Sequence, residues 1–553
     1  MVKYFCRLAC LFLFFLSVSH VSCAQYTHQD TLRGSVGTGR DWWNVLHYDL
    51  LVDVDIPNKS ISGKNTVLFE VTKAGKPGLL QLDMQRPMEI TSIEDPQQKY
   101  KQLSFRREGN VYWIEFGDMA FTAKQRYSLI VHYKGTPRAA VNPPWDGGWI
   151  WTKDEKGRPW ITVACQGLGA SVWYPCKDYQ GDEPDRGATL SITVPDELTA
   201  VGNGVFKEKK SLNGRTTWRW EVKNPINNYT IVPYIGYYTN FGETFDGEKG
   251  KLECSYWVLD YNIEKARKQF AQVAPMMRCF EQWFGPYPFY EDSYKLVETP
   301  HLGMEHQSAV AYGNRYKNGY LGMDRSGSKW GLDWDYIIVH ESGHEWFANN
   351  ITTNDIADMW VHEGFTTYSE VLFVECKNGV AAGDAYCQGL RRNIENDKPI
   401  IGPYGVNKEG SSDMYDKGAN MIHTIRQLIS DDNKFKAILR GLNSRFYHKT
   451  INTNDVEKYI SKEAGKDLQK VFDQYLRTVN IPQLEYELKG NILSYRWTNC
   501  IKGFNMPVRV LIGDTPRWIE PTENWQKQTL GPKEKDATFA ADKNFYITVK
   551  KAG

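Results

Sequence analysis

The segment WDYIIVHESGHEWFANN (334–350), followed by ITTNDIADMWVHEGFTTYSE (351–370), decides how the chain is read. Apolar Tyr336, Ile337, Ile338, Val339, Trp346 and Phe347 flank His340 and His344, and no Pro or Gly lies between Asp335 and Gly343. That pattern predicts a buried helix, with Gly343 a tolerated weak point. Residues four apart on a helix share a face, so His340 and His344 would present two imidazoles to one point. Glu341 stands beside the first histidine and can act there without being a ligand. The run His340-Glu341-Ser342-Gly343-His344 is the H-E-x-x-H zinc signature, in which the Glu serves as general base.

A catalytic zinc needs a third protein ligand and one open position. Glu363, nineteen positions after His344 on a second helical-looking segment, is the candidate. The interval lets one helix end and another return across it. His362 is the rival on that segment, but adjacent residues point about 100° apart on a helix. The five-residue signature can arise by chance in a long chain; Glu363 and the stretches below argue against chance.

These two segments resemble the aminopeptidase N family of zinc aminopeptidases (gluzincin metallopeptidases), whose pattern is H-E-x-x-H, eighteen residues, then Glu. The likeness continues in order from about residue 45 to 480. VACQGLGASVWYPCKD (163–178) resembles the family segment in which a Gln reaches the active site, and implies that Gln166 accepts a hydrogen bond from a substrate amine. A Gln satisfied within its own loop is the alternative. KLVETPHLGMEHQSAVAYG (295–313) carries Gly303-Met304-Glu305-His306 where the family has G-x-M-E-N, an extended strand at the cleft edge. Gly303 permits close backbone approach, and the open strand edge through Met304 can pair with a peptide. Glu305 would hold the α-ammonium by charge-assisted hydrogen bonds, which limits cleavage to one N-terminal residue. His306 stands where many members have Asn. The implied donor to the substrate backbone then becomes an imidazole, with protonation expected to vary near pH 6–7. Tyr415-Asp416-Lys417-Gly418 resembles the Tyr-x-Lys-Gly signature and implies that Tyr415 donates to the oxyanion. Glu370, further along the Glu363 segment, is a candidate partner for a zinc-bound histidine.

The rest of the chain frames this centre. From His47 to about Phe241, runs such as HYDLLVDVDI (47–56) and RYSLIVHYKG (126–135) alternate in strand fashion between turn-forming clusters. They match the family's N-terminal saddle-like sheet. A short linker is expected over GETFDGEKG (242–250), and strand character returns from about Ile481. The predicted architecture is α+β and multidomain. It comprises a signal peptide (1–24), an N-terminal β saddle domain (25–250), a thermolysin-like, mostly α catalytic domain (251–480) and a small C-terminal β domain (481–553).

Lys3 and Arg7 precede the apolar run LACLFLFFLSVS (8–19), with Ser22 and Ala24 placed for cleavage before Gln25. The run is too short to span a membrane, and no other stretch approaches a span. Export to a periplasm or outside the cell is expected; a lipid anchor on Cys23 is the alternative. Without Lys3 and Arg7 the chain carries 65 basic and 66 acidic residues, so it has no basic field for nucleic acid. Seven cysteines follow residue 24, with Cys376–Cys387 and Cys165–Cys176 as possible pairs that the sequence does not assign.

The expected protein is thus an exported zinc aminopeptidase acting on peptides with a free N-terminus. One Zn²⁺ per chain would be held by His340, His344 and Glu363, and a zinc-activated water would attack with Glu341 as base. A zinc endopeptidase, or a zinc hydrolase of non-peptide substrates on the same fold, remains the alternative.

Overall fold

Trp43–Asp55 alternates buried and half-buried residues along its length, and its inward Leu50, Val52 and Val54 are fully enclosed. It pairs antiparallel with Ser60–Val71, Leu50 opposite Asn65, and parallel with Ala188–Pro195, Leu50 opposite Leu190. These three strands centre an eight-stranded sheet, and smaller sheets of four and three strands complete the N-terminal β region. The computed structural model describes residues 26–552 apart from 532, 533, 535 and 536. The expected signal peptide and the Cys23 anchor lie outside the described residues. Among those described, no helix is long and apolar enough to cross a membrane.

The expected linker over 242–250 is instead part of a hairpin. Tyr238–Gly247 and Gly250–Leu259 pair down to Gly247 opposite Gly250. The second strand then runs parallel to Tyr294–Glu298 within a five-stranded sheet. The Gly-rich and charged run marks a two-residue turn, and the alternation on either side of it continues the strands. Both strands of this hairpin therefore belong to the five-stranded sheet. The outermost strand of that sheet is Gly303–Met304, paired on one side only.

Helices follow the sheet in the chain. We label Tyr336–Gly343 α1, Trp360–Asn378 α2 and Asp416–Ile429 α3. α1 begins at Asp335, whose carboxylate accepts from the amides of Ile337 and Ile338, and every residue of the helix is buried. Regular helix ends at Gly343. The chain then winds through a wider turn, Glu345–Asn349, in which Ala348 takes φ 133°. α2 and α3 approach each other through two glycines: a Cβ added to Gly418 would lie 3.1 Å from Gly364 Cα.

Two small sheets follow the helices, one of four strands that includes Gln483–Lys489 and one of three that includes Val508–Ile512. Their Leu484, Trp497 and Val510 share one apolar core with these helices, whereas the N-terminal sheets enclose a second core. One disulfide, Cys279–Cys376, ties the helix Val273–Phe284 to the end of α2. It replaces both pairings considered from sequence. Cys165, Cys176 and Cys387 are buried as free thiols, and Cys376 is taken by Cys279, 97 residues away.

Candidate active site

α1 and α2 cross so that three buried side chains meet. The Nε2 atoms of His340 and His344 stand 3.6 and 3.2 Å from Glu363 Oε2. Each imidazole is oriented from its far side. His340 Nδ1 donates to Glu370 Oε1 at 2.7 Å, and Glu370 in turn accepts from the Tyr386 hydroxyl. His344 Nδ1 donates to the Phe347 carbonyl at 3.0 Å, with the Thr366 hydroxyl 3.1 Å away. With the Nδ1 atoms engaged this way, both Nε2 atoms are left to face Glu363.

This set fits a dication. Glu363 Oε2 is buried and finds no hydrogen-bond partner, although two imidazole nitrogens stand beside it. All three donor atoms lie within 4.8 Å of one another. Burial opposes charge on the imidazoles, yet Glu363 and Glu370 hold His340 up at about 10. Despite its own burial, Glu363 is held well below the usual carboxylate range by His344 and His340. The field at this point calls for positive charge, and two imidazole nitrogens with one carboxylate oxygen form a donor set suited to zinc. His362, the rival on α2, turns away: its Nε2 accepts from the Thr353 amide at 3.0 Å.

The remaining residues line a cleft of about 680 Å³ in front of these donors. Glu341 stands at its floor, and burial, with Glu305 and Glu363 nearby, brings its carboxyl up to about 7. The edge strand lies directly against it, since a Cβ on Gly303 would come within 2.8 Å of Glu341 Oε1. Met304 lines the cleft beside Glu305. Glu305 is 2% exposed and accepts from Gln166 Nε2 at 2.5 Å and from the Tyr229 hydroxyl at 2.7 Å. Burial raises its pKa, and the charge of Glu363 adds to that rise. Tyr415 precedes α3, and its ring stacks at 6.0 Å on that of His340. Burial and the nearby carboxylates Glu363 and Glu305 keep its phenol protonated, well above its ordinary range.

His306 is not brought into the cleft. Its ring is fully buried beneath the edge strand, with Nδ1 2.6 Å from the Tyr234 hydroxyl. Burial holds it well below the ordinary histidine range, so the expected titration near pH 6–7 does not occur. Several positioning groups carry no motif that sequence reading could catch. Tyr229 comes from the β region. Glu345 and Asn349, in the turn after His344, fasten the edge segment: Glu345 accepts from the Ser308 amide and Asn349 donates to the Glu305 carbonyl. Only their closeness to the zinc signature hinted at them.

Comparison with known proteins agrees with this layout. The family model described as Peptidase M1 N-terminal domain matches residues 44–230, and that described as Peptidase family M1 domain matches 269–475. Endoplasmic reticulum aminopeptidase 1 of Rattus norvegicus is 21% identical over 473 residues, covering 80% of this chain. The chain spans about half of that relative, 49% of its length. Aminopeptidase B of Mus musculus is 24% identical over 490 residues, covering 79% of this chain and 69% of its own. The crystal structure of the M1 zinc metallopeptidase from Deinococcus radiodurans superposes with a TM-score of 0.67 at 20% identity, covering 80% of this chain and 96% of that one. At that identity the superposition speaks for the fold. With both domain models matched in chain order over an M1 architecture, the chain belongs to peptidase family M1.

Proposed function

We propose that this chain is an exported zinc aminopeptidase that removes single residues from the free N-terminus of peptides. The observation that carries the reading is Glu305: a buried carboxylate directly after an open edge strand, in one cleft with Glu341 and the three donors. His340, His344 and Glu363 would hold one zinc ion per chain. When bound, the ion supplies Lewis acidity at the scissile carbonyl and at the attacking water.

The other roles belong to the chain. Glu305 binds the α-ammonium through its carboxylate. Gln166, whose amide nitrogen already donates to Glu305, offers its side-chain oxygen to the same amine. The unpaired edge of Gly303–Met304 aligns the substrate backbone by strand addition. Glu341, which lines the cleft beside the three donors, takes the proton from the attacking water and passes it to the leaving amine. Tyr415 donates its phenolic proton's hydrogen bond to the oxygen that becomes negative. His306, enclosed behind the strand, supports that strand's backbone and does not touch substrate.

The names of the relatives, both aminopeptidases, agree with this reading. Export rests on the first 24 residues and is supported by the Cys279–Cys376 disulfide, a bond suited to an oxidising compartment. N-terminal sequencing of protein recovered outside the cytoplasm should begin at Gln25. The activity is tested with aminoacyl-coumarin amides, free and N-acetylated, before and after chelation and zinc return. Hydrolysis of the free amides alone, lost on chelation and in Glu305→Ala, is expected. Equal cleavage of acetylated amides would favour an endopeptidase, and zinc binding without any cleavage a non-peptide hydrolase.

A further inference from the structure

The turn that follows His344 is held from outside the catalytic domain. Ala348 adopts φ 133° and ψ −54°, a backbone region that L-residues rarely enter and that costs about 1–3 kcal/mol unless the surroundings enforce it. The conformation has a use, because it swings the preceding Phe347 carbonyl back onto His344 Nδ1. At this turn the Thr352 hydroxyl donates a hydrogen bond to the Ala348 carbonyl. The same hydroxyl lies 2.5 Å from Oε1 of Glu183, a buried carboxyl contributed by the β region.

One hydroxyl proton cannot serve two acceptors. Both contacts become hydrogen bonds when Glu183 is the acid form: its O–H donates to Thr352 Oγ1, and Thr352 donates to the Ala348 carbonyl. Burial pushes the Glu183 carboxyl up to about 8, in keeping with that arrangement. Glu183 is 7% exposed and Thr352 fully enclosed, so water offers neither group an easy substitute.

We propose that Glu183 is a positioning residue for the metal site: through Thr352 it locks the Ala348 turn, and the locked turn aims the Phe347 carbonyl that fixes the His344 ring. The β region would thereby set the geometry of a ligand it never touches. The inference rests on the zinc reading above. A full-length chain that binds no zinc refutes that reading, and does so before any variant is compared.

The test is zinc affinity, measured by competition with a chromogenic chelator, alongside the denaturation midpoint of the zinc-free protein. Glu183→Met and Thr352→Val are each expected to weaken zinc binding about 10–100-fold, the usual cost of losing an outer partner of a ligand. Because the two residues form one relay, the double variant should bind no more weakly than the poorer single variant. Glu183→Gln, whose amide can donate to Thr352, and Thr352→Ser, which keeps the hydroxyl, should bind zinc as the unaltered chain does. Should Glu183→Met fail to fold, Thr352→Val and Thr352→Ser decide between them. Unchanged zinc affinity in Thr352→Val, with only the denaturation midpoint moved, would overturn the proposal. So would loss of affinity in Thr352→Ser, or full additivity in the double variant.

Discussion

At the scale of single residues, the site separates one set of buried carboxylates by what each one faces. Glu363 faces two imidazoles and stays ionised, whereas Glu341 faces the cleft with Glu305 and Glu363 behind it and is brought up to about 7. The first suits a ligand and the second a base. Glu341→Gln keeps the shape and removes the proton acceptor. Its kcat should fall by about 10²–10⁴-fold, the range for general-base loss, with zinc content unchanged. Loss of zinc together with activity would show that Glu341 helps to hold the metal instead. Much of this was legible from spacing: His340 and His344 four apart, Glu363 nineteen further on, and Glu370 seven beyond it on the same helix. His306 was not. A sequence motif places a residue along a strand but not the face it turns to, and the contact with Tyr234, 72 residues away, draws this ring inward.

At the scale of elements, the helical and strand periodicities read correctly, and the errors fall where backbone geometry departs from them. α1 was expected to carry on through Trp346 and Phe347. It stops at Gly343, and no residue type announces that an alanine five positions later will adopt a positive φ. The close crossing of α2 and α3 was equally hidden, because Gly364 and Gly418 acquire meaning only once they face each other. Gly418→Val would drive a branched side chain into the α2 backbone. It should cost about 1–3 kcal/mol in denaturant unfolding, as overpacking does, and lower kcat more than it changes KM, since Tyr415 sits at the start of the displaced helix. The disulfide acts at the other end of α2. Closing 97 residues implies up to about 4–5 kcal/mol by chain entropy, so Cys376→Ser should lower the denaturation midpoint clearly. Hydrolysis at room temperature should persist, because Cys376 lies roughly 20 Å along the helix from Glu363.

At the scale of the whole molecule, the cleft belongs to neither core alone. The edge strand packs Met304 into the N-terminal core, as its neighbour Val310–Tyr312 does Ala311, while α1 and α2 belong to the other. Gln166, Tyr229 and Glu183 all reach across from the β region, so the site is complete only when the two parts are packed together. That coupling has a pH signature. The Glu183 carboxyl is raised from its ordinary value near 4.5 to about 8, chiefly by burial, with the charges of Asp182 and Asp185 adding to the rise. Between those two values the folded chain keeps a proton that the unfolded chain releases. The stabilisation from this group is therefore complete below about pH 4.5 and declines as pH climbs towards 8. Glu183→Gln cannot titrate and removes that slope while leaving every other group in place. The unfolding free energy of the unaltered chain, minus that of Glu183→Gln, should fall between pH 5 and pH 8 by an amount on the order of a few kcal/mol. Paired denaturant titrations of the zinc-free proteins at three or more pH values measure it. A difference that stays flat across that window would mean that Glu183 is ionised in the folded chain, and that Thr352 spends its proton on the carboxylate and leaves the Ala348 carbonyl unbonded.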